Sequence, residues 1–214
     1  MGCSLAGRLA IIARGLGSLE RVAGSGYDRL YRYIIILGPI SRVFLLRRDL
    51  ISRLYGGNIL VVPSSYDDVA IYVNLRRSGY SICRGDIMYR DLGIVCLERG
   101  EDLWGRIAYP HDGVFKLIFT EDLDPMDRSI FSISYRSNPG RDFILISHGV
   151  SQPSGLVLGI WPSIRIDPRC EALAMIDVEE ARMDIDLEII DKGIIYRLGA
   201  SILKDYGSPV ENIK

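Results

Sequence analysis

The fold class depends on one short stretch, Val69-Ala70-Ile71-Tyr72-Val73-Asn74-Leu75. Its large apolar residues, most of them β-branched, recur at every second position, with Ala70, Tyr72 and Asn74 between them. A period of two places alternate side chains on opposite faces of a strand, whereas a helix repeats every 3.6 residues. The stretch therefore predicts a β-strand, and a helix over residues 66–78 would contradict an all-β fold.

Other short apolar segments of strand length lie on both sides of this stretch, and turns rich in Gly, Pro and Asp separate them. The segments are residues 31–37, 59–62, 80–83, 87–89, 93–97, 104–109, 114–119, 129–135, 143–147, 156–161, 183–189 and 194–198. Many short strands with regular turns are typical of sandwiches and barrels. We therefore expect a mostly β protein, with an antiparallel β-sandwich or barrel-like domain.

The N-terminal segment differs from the rest of the chain. Apolar residues recur there at helical spacing: Leu5, Leu9, Ile12, Leu16 and Leu19. This pattern predicts a short N-terminal helix over residues 4–23, inside a helical segment 1–26. A β-rich domain over 27–199 and a C-terminal tail over 200–214 complete the expected organisation. Residues 41–55 fit either a helix or a strand.

Composition excludes several classes of protein. Apolar residues make up 48% of the 214 residues and charged residues 25%, as in ordinary folded domains. The net charge of −1 disfavours a dedicated nucleic-acid binder. No apolar run reaches the roughly 18–20 residues of a membrane-spanning helix, and no secretory signal is evident, so a cytoplasmic location is expected. Arginine greatly exceeds lysine and isoleucine is abundant, which suits a thermophilic archaeon.

The four cysteines do not have the spacing of a zinc site. Cys83 and Cys96 fall in neighbouring predicted strands and could meet. A disulfide between them would fit a hyperthermophilic source, and two buried free thiols would fit other sources.

One acidic cluster, Asp184, Asp186 and Glu188, is a candidate metal site because alternation places its carboxylates on one strand face. Such a group can hold Mg²⁺ or Mn²⁺ for phosphoryl transfer, with further ligands from Asp177, Glu179 or Glu180. A strand with one face in water also needs polar residues at every second position. We therefore expect a solvated face, with no metal and no cofactor.

Catalytic motifs are absent from the sequence. His111 and His148 could each act as a general base, but no nucleophile is paired with either and Gly-x-Ser-x-Gly is missing. Gly15-Leu16-Gly17 is not a dinucleotide fingerprint, because no strand is expected before it and a third glycine is lacking. No catalytic residue is therefore predicted, and both histidines are expected in turns or at the surface.

Several segments in order resemble an archaeal family of uncharacterised proteins, domain of unknown function number four hundred and thirty-two. They are residues 61–65 (VVPSS), 70–73 (AIYV), 103–105 (LWG), 109–114 (YPHDGV), 131–138 and 144–150. Trp104 replaces the tyrosine that is usual in that family. The resemblance covers about three quarters of the chain and implies a β-rich fold with no assigned activity.

A second resemblance is carried by Leu75-Arg76-Arg77-Ser78-Gly79-Tyr80, which is similar to a helix-end motif of archaeal tRNA-splicing endonuclease subunits. Those enzymes cleave RNA with a tyrosine, a histidine and a lysine. In this chain Cys96 stands at the tyrosine position, Arg141 lies near the lysine position, and His111 alone could remain. The resemblance implies a non-catalytic structural subunit, and it requires residues 66–78 to be helical.

Taken together, the sequence predicts a binding or assembly module that is not an enzyme. Its partner would be another protein or a second copy of the chain, and a nucleic-acid partner is disfavoured. Two alternatives stay open: a structural subunit of a splicing endonuclease, and a divalent-metal-dependent enzyme acting on phosphoesters.

Overall fold

A computed structural model of the chain describes residues 7–40, 49–50, 54, 58–89, 92–97, 115–121, 143–148, 154–158, 162–179, 182–203 and 209–210. These residues form two β-sheets and two α-helices, together with a short 3-10 helix at Tyr27–Arg29.

The first sheet has eight strands. They are β1 (Gly7–Arg14), β2 (Tyr33–Leu37), β3 (Asn58–Val62), β4 (Ser81–Ile82), β11 (Glu171–Val178), β12 (Arg182–Asp191), β13 (Ile194–Leu203) and β14 (Pro209–Val210). Their order across the sheet is β14-β13-β12-β11-β1-β2-β3-β4. The half from β1 to β4 is parallel, and the half from β1 to β14 is antiparallel.

The second sheet has six strands. They are β5 (Gly85–Met88), β6 (Leu92–Leu97), β7 (Phe115–Thr120), β8 (Phe143–His148), β9 (Gly155–Leu158) and β10 (Pro162–Ile166), in the order β5-β6-β7-β8-β10-β9. The four central strands, β6, β7, β8 and β10, are parallel, and an antiparallel strand closes each edge.

The two sheets share one apolar core, which contains Leu9, Ile35 and Leu60 from the first sheet and Leu117 and Ile146 from the second. A second core covers the opposite face of the first sheet. There Leu19 and Val22 of α1 (Leu16–Ser25) and Leu75 of α2 (Val69–Arg77) pack against residues such as Ile34 and Ile36. The layers are therefore helices, first sheet, second sheet.

This architecture contradicts the expected antiparallel β-sandwich. The protein is mixed α/β, and parallel strands form the centre of both sheets. Strands buried on both faces read as continuous apolar runs, because neither face needs polar residues. Tyr33–Leu37 is such a run, and all five of its residues are buried. Parallel neighbours also need crossover connections, and α1 and α2 supply two of them.

The predicted strand over residues 69–75 is a helix, α2. Ile71, Tyr72 and Leu75 are buried, which is a helical stripe, while Val69 and Val73 are 67% and 45% exposed. The helix begins at Asp68, whose side chain accepts a hydrogen bond from the Ala70 amide at 2.9 Å. The alternating β-branched residues therefore lie partly on the solvent side of a capped helix. A helix here is also what the splicing-endonuclease resemblance requires.

The predicted N-terminal helix over residues 4–23 is also wrong for most of its length. Residues Gly7–Arg14 form β1, which lies between β11 and β2, and the helix starts only at Leu16. A strand therefore does precede Gly15-Leu16-Gly17. The expected boundary at 199/200 falls inside β13, which continues to Leu203.

Most of the remaining predicted strands match the structure, including the hairpin of β12 and β13. The predicted strands at 104–109 and 129–135 lie outside the described residues. None of the helices in the described part of the chain is long and apolar enough to span a membrane.

Candidate functional site

A cavity of about 390 Å³ opens at the edge of the molecule where the parallel strands of both sheets end. Carboxyl ends of parallel strands are the usual place for ligand sites in α/β proteins. The polar and charged residues that line the cavity come from both sheets and from α2: Ser64, Ser65 and Asp67 after β3, Tyr72 on α2, Arg84 after β4, Glu121 after β7, and His148 at the end of β8. Arg14 ends β1 at the same edge.

Asp67 anchors the segments that follow β2 and β3. Its Oδ1 accepts a hydrogen bond from the amide of Ile40 at 2.6 Å, and its Oδ2 accepts one from the amide of Ser64 at 3.1 Å. The hydroxyl of Tyr72 on α2 donates a further, short hydrogen bond to Oδ2. Burial, and then this bond to the carboxylate, raises the pKa of Tyr72, so the phenol stays protonated. The Asp67 carboxylate is therefore occupied by donors of its own chain.

Glu121 joins the two sheets. Its Oε1 accepts a hydrogen bond from Oγ of Ser64 at 2.5 Å and another from the amide of Ser65 at 2.6 Å. Glu121 follows β7 of the second sheet, whereas Ser64 and Ser65 follow β3 of the first. Because both donors hold one oxygen, this carboxylate fixes the distance between the two strand ends.

Arg14 is a buried cation with almost no partners. Arg14 is only 2% exposed, and its Nη2 donates a hydrogen bond to the carbonyl oxygen of Pro168 at 3.3 Å. Nη1 has no hydrogen-bond partner among the described residues. Burial lowers the pKa of Arg14, while the charges of Glu121, Asp167 and Asp67 oppose that shift. The positive charge therefore lies among carboxylates without a direct ion pair to any described one.

His148 is the second buried group without a partner. It is 2% exposed and lines the cavity, and its Nδ1 has no hydrogen-bond partner in the described part of the chain. Burial, and then the charge of Arg14, lowers the pKa of His148 to about 4, with Glu121 opposing. The imidazole is therefore neutral at physiological pH. The expectation that this histidine lies in a turn or at the surface is wrong.

The remaining wall of the cavity is largely apolar. Val62 and Pro63 line one side, and Leu97 and Phe119 line another. Cys83 and Cys96 also line it, and they form a disulfide that links the first sheet edge after β4 to β6 of the second sheet. Of the two alternatives left open by the sequence, the structure shows the bonded pair. The bridge closes the end of the cavity between the sheets.

Asp167, which follows β10, is held by its neighbour Arg169. The guanidinium donates to both carboxylate oxygens, at 3.0 Å from Nε to Oδ1 and 2.8 Å from Nη2 to Oδ2. These bonds lower the pKa of Asp167. Like Asp67, this carboxylate therefore accepts hydrogen bonds on both oxygens, whereas Glu121 accepts them on Oε1.

The side chain of Glu171 lies against the N-terminus of α1. A side-chain carbon added to Gly17 would lie 2.5 Å from Oε2 of Glu171, and one added to Gly15 would lie 2.5 Å from Cγ of Glu171. Gly15 also has a positive φ of 87°. Glutamate near a helix N-terminus is favourable, because the helix dipole is positive there. Glu171 thus fills the place where a loop of this shape could accept a phosphate.

The acidic cluster expected from the sequence lies far from this cavity in the fold, on the face of β11 to β13. Asp184 is paired with Arg182 at 2.8 Å, and Glu188 is paired with Arg21 and Arg197 at 2.5 and 2.9 Å. Asp186 is exposed, whereas Glu188 is buried. Asp177 lines the same face and Glu179 lies at the end of β11, while Glu180 and His111 lie outside the described residues.

The described residues contain no group of three or more His, Cys, Asp or Glu arranged to hold a metal ion. Sequence reasoning did not find Arg14, Ser64, Asp67 or Glu121. They come from positions 14, 64, 67 and 121, and only the strand order brings them to one edge. The local signal for the site in the sequence is Arg14, which follows the apolar run 9–13. A helix over residues 4–23 would leave this arginine in solvent, so the helical pattern does not point to a site.

Comparison with known proteins gives a likeness of fold. The chain resembles wild-type Vps29 of Entamoeba histolytica complexed with Zn²⁺, with a TM-score of 0.50 and 11% identity over 89% of this chain and 98% of that one. Vacuolar protein sorting 29 of Cryptosporidium parvum has a TM-score of 0.46 and 10% identity over 91% and 98%. Vps29 has a metallophosphoesterase-like α/β fold. No family model and no curated protein matches the chain.

Proposed function

We propose that this chain is a binding module that uses the cavity at the strand ends and performs no metal-dependent chemistry. The observation that carries the proposal is the buried guanidinium of Arg14, a fixed positive charge at the edge where the carboxylates of both sheets meet. A divalent ion placed beside it would be repelled, and the repulsion is strong where the surroundings exclude water.

The donor set also disfavours a metal. Zinc prefers three or four nitrogen, sulfur or carboxylate ligands, and magnesium or manganese prefers free carboxylate oxygens. Here Glu121 and Asp67 accept hydrogen bonds from their own chain, and both cysteines that line the cavity are in a disulfide. Among the described residues that line the cavity, His148 alone offers a neutral nitrogen ligand. The residues present therefore do not fit a metal centre, although zinc was bound to Vps29 in one of the similar structures.

The experiment compares the purified chain in chelator, in Mn²⁺ and in Zn²⁺. We expect no hydrolysis of p-nitrophenyl phosphate or bis(p-nitrophenyl) phosphate in any condition, and the same melting temperature in all three. Glu121→Gln and His148→Gln variants serve as controls against a contaminating phosphatase. Metal-dependent hydrolysis that disappears in these variants would overturn the proposal and support the metal-dependent enzyme.

The alternative is a structural subunit of a tRNA-splicing endonuclease, and α2 is the observation that favours it, because that resemblance requires a helix over residues 66–78. Cys96, at the position of the catalytic tyrosine, is held in a disulfide. We therefore expect the chain alone not to cleave an intron-bearing precursor tRNA. Cleavage by this chain, lost in His111→Ala, would contradict both proposals.

A further inference from the structure

Two buried polar groups at the strand-end edge, His148 in the cavity lining and Arg14 at the end of β1, need a partner that none of the described residues provides. Arg14 and His148 are each 2% exposed, and Nη1 of the one and Nδ1 of the other have no hydrogen-bond partner among the described residues. A buried charge without a partner and a buried polar atom without a hydrogen bond both oppose folding. A ligand that supplies a negative charge and hydrogen-bond acceptors would satisfy both groups.

We propose that the cavity binds a small carboxylic acid with an apolar body, whose carboxylate contacts His148 and takes the Arg14 guanidinium as its counter-charge. This inference rests on the proposed function as a binding module, and it names the class of ligand.

The described carboxylates whose charges act on Arg14 do not already play this part. Asp167 is bonded to Arg169, Asp67 to the Ile40 and Ser64 amides and the Tyr72 hydroxyl, and Glu121 to Ser64 and Ser65. None of them forms an ion pair with Arg14 in the described part of the chain. A guanidinium binds carboxylates well because its planar N–H donors match the two oxygens.

The charge of the surroundings selects a monoanion. Glu121, Asp67 and the exposed Arg84 line the cavity, so a phosphate dianion would add two negative charges beside two carboxylates that are opposed in the lining by one exposed cation. His148 is neutral and adds a hydrogen bond without adding positive charge. One carboxylate is balanced by Arg14, whereas a dianion is not.

The apolar wall of the cavity favours an apolar group for the part of the ligand beyond its carboxylate. Val62, Pro63, Leu97, Phe119 and the Cys83–Cys96 disulfide offer no charge for a polar body to contact. A volume of about 390 Å³ lies at the small end of the range for ligand pockets. A six-membered ring or a chain of several methylenes would fit this space and bury apolar surface.

The test is a calorimetric titration of the oxidised, full-length chain with phenylacetate and with octanoate. Phenylacetamide and octanamide are the neutral controls of the same shape, and inorganic phosphate is the control for charge. We expect saturable binding of at least one carboxylate, with at least tenfold weaker binding of its amide and of phosphate. Binding of an amide as tight as its acid, or no saturable binding of either acid, would overturn the proposal.

Substitutions at Arg14 and His148 test whether the carboxylate of the ligand binds beside these two residues. Arg14→Met and His148→Leu should each weaken binding at least tenfold, and Arg182→Met, on the distant acidic face, should leave it unchanged. Arg14→Lys keeps the charge but loses the planar donors, so this variant should also bind more weakly than wild type. It takes the place of Arg14→Met in the test if Arg14→Met does not fold. Unchanged affinity in His148→Leu and in whichever Arg14 variant folds would refute the assigned site.

The two proposals fail in different ways. Metal-free binding of phosphate in preference to either acid would refute the ligand class and leave the binding module standing. Metal-dependent phosphoesterase activity would refute the proposed function itself.

Discussion

The hydroxyl of Ser64 donates a hydrogen bond to Oε1 of Glu121 at 2.5 Å, and this bond joins the end of β3 in one sheet to the end of β7 in the other. Hydrogen bonds to a charged acceptor contribute about 1.5–3 kcal/mol to stability. Ser64→Ala should therefore lower the free energy of unfolding by roughly 1–2 kcal/mol, because the Ser65 amide still satisfies the same oxygen.

Ser65→Ala is the matched control for that prediction. Ser65 is exposed and contacts Glu121 through its backbone amide, so loss of its hydroxyl should change stability by less than about 0.5 kcal/mol. Urea denaturation of both variants measures the difference. Equal effects of the two substitutions would show that the bond between the sheets contributes nothing.

Asp67 and Asp68 are neighbours in sequence with different structural roles. Asp68 caps α2 through one hydrogen bond, and loss of such a cap costs about 1 kcal/mol. Asp67 accepts bonds from two backbone amides and a buried tyrosine, so Asp67→Ala leaves several donors unsatisfied and should cost at least ~3 kcal/mol. Thermal and urea unfolding of the two variants should show this order, and the reverse order would contradict the assigned contacts.

Stability should depend on pH through His148. Its folded pKa of about 4 lies below the value of 6.5 for a free histidine, so between these values the unfolded chain binds a proton that the folded chain does not. The contribution is complete above pH 6.5 and falls as the pH drops, by roughly 2 kcal/mol between pH 8 and pH 5. The charged groups that act on this histidine are Arg14 and Glu121.

Urea denaturation at pH 8 and pH 5 measures this dependence. In His148→Gln the loss of stability on acidification should be smaller than in wild type by that amount. Parallel curves for the two proteins would mean that His148 is protonated equally in the folded and unfolded states.

The disulfide between Cys83 and Cys96 should contribute to stability, since it closes a loop with a sequence separation of 13. Loops of this size give about 3 kcal/mol in the chain-entropy model. A reducing agent should lower the stability of wild type by about this amount and leave the C83A/C96A double variant unchanged. Titration of thiols in denaturant should find two before reduction and four after it; four before reduction would refute the bridge.

The sequence predicts some elements of this fold well and fails on others for identifiable reasons. The sequence predicts the hairpin of β12 and β13, because residues 183–189 alternate apolar and polar side chains and a turn at Asp191-Lys192-Gly193 leads into the run 194–198. Tyr33–Leu37 was recognised as a buried strand, but a buried run does not reveal whether its neighbours are parallel. That information lies in the crossover helices, and the sequence of α2 has the alternating pattern of a strand.

The residues of the site are harder to predict from the sequence than the strands of the fold. Arg14, Glu121 and His148 are separated by more than a hundred residues in total, and no local motif joins them. His148 was noted as a histidine at the end of a strand, yet its burial depends on packing between sheets. Arg14 was assigned to a helix face, where an arginine would be solvated, because leucine and isoleucine at positions 5 to 19 fit both a helical period and a continuous run.

The position of β1 in the middle of its sheet has a consequence for biosynthesis. Residues 7–14 leave the ribosome before the other described strands, but one of their two neighbours, Glu171–Val178, is made some 160 residues later. At about 5–20 residues per second, this delay is roughly 10–30 s. During that time one edge of a strand with the apolar centre Leu9–Ala13 has no partner and can pair with other nascent chains. Closure across such a sequence distance is slow, so this edge is exposed to aggregation until β11 has been made.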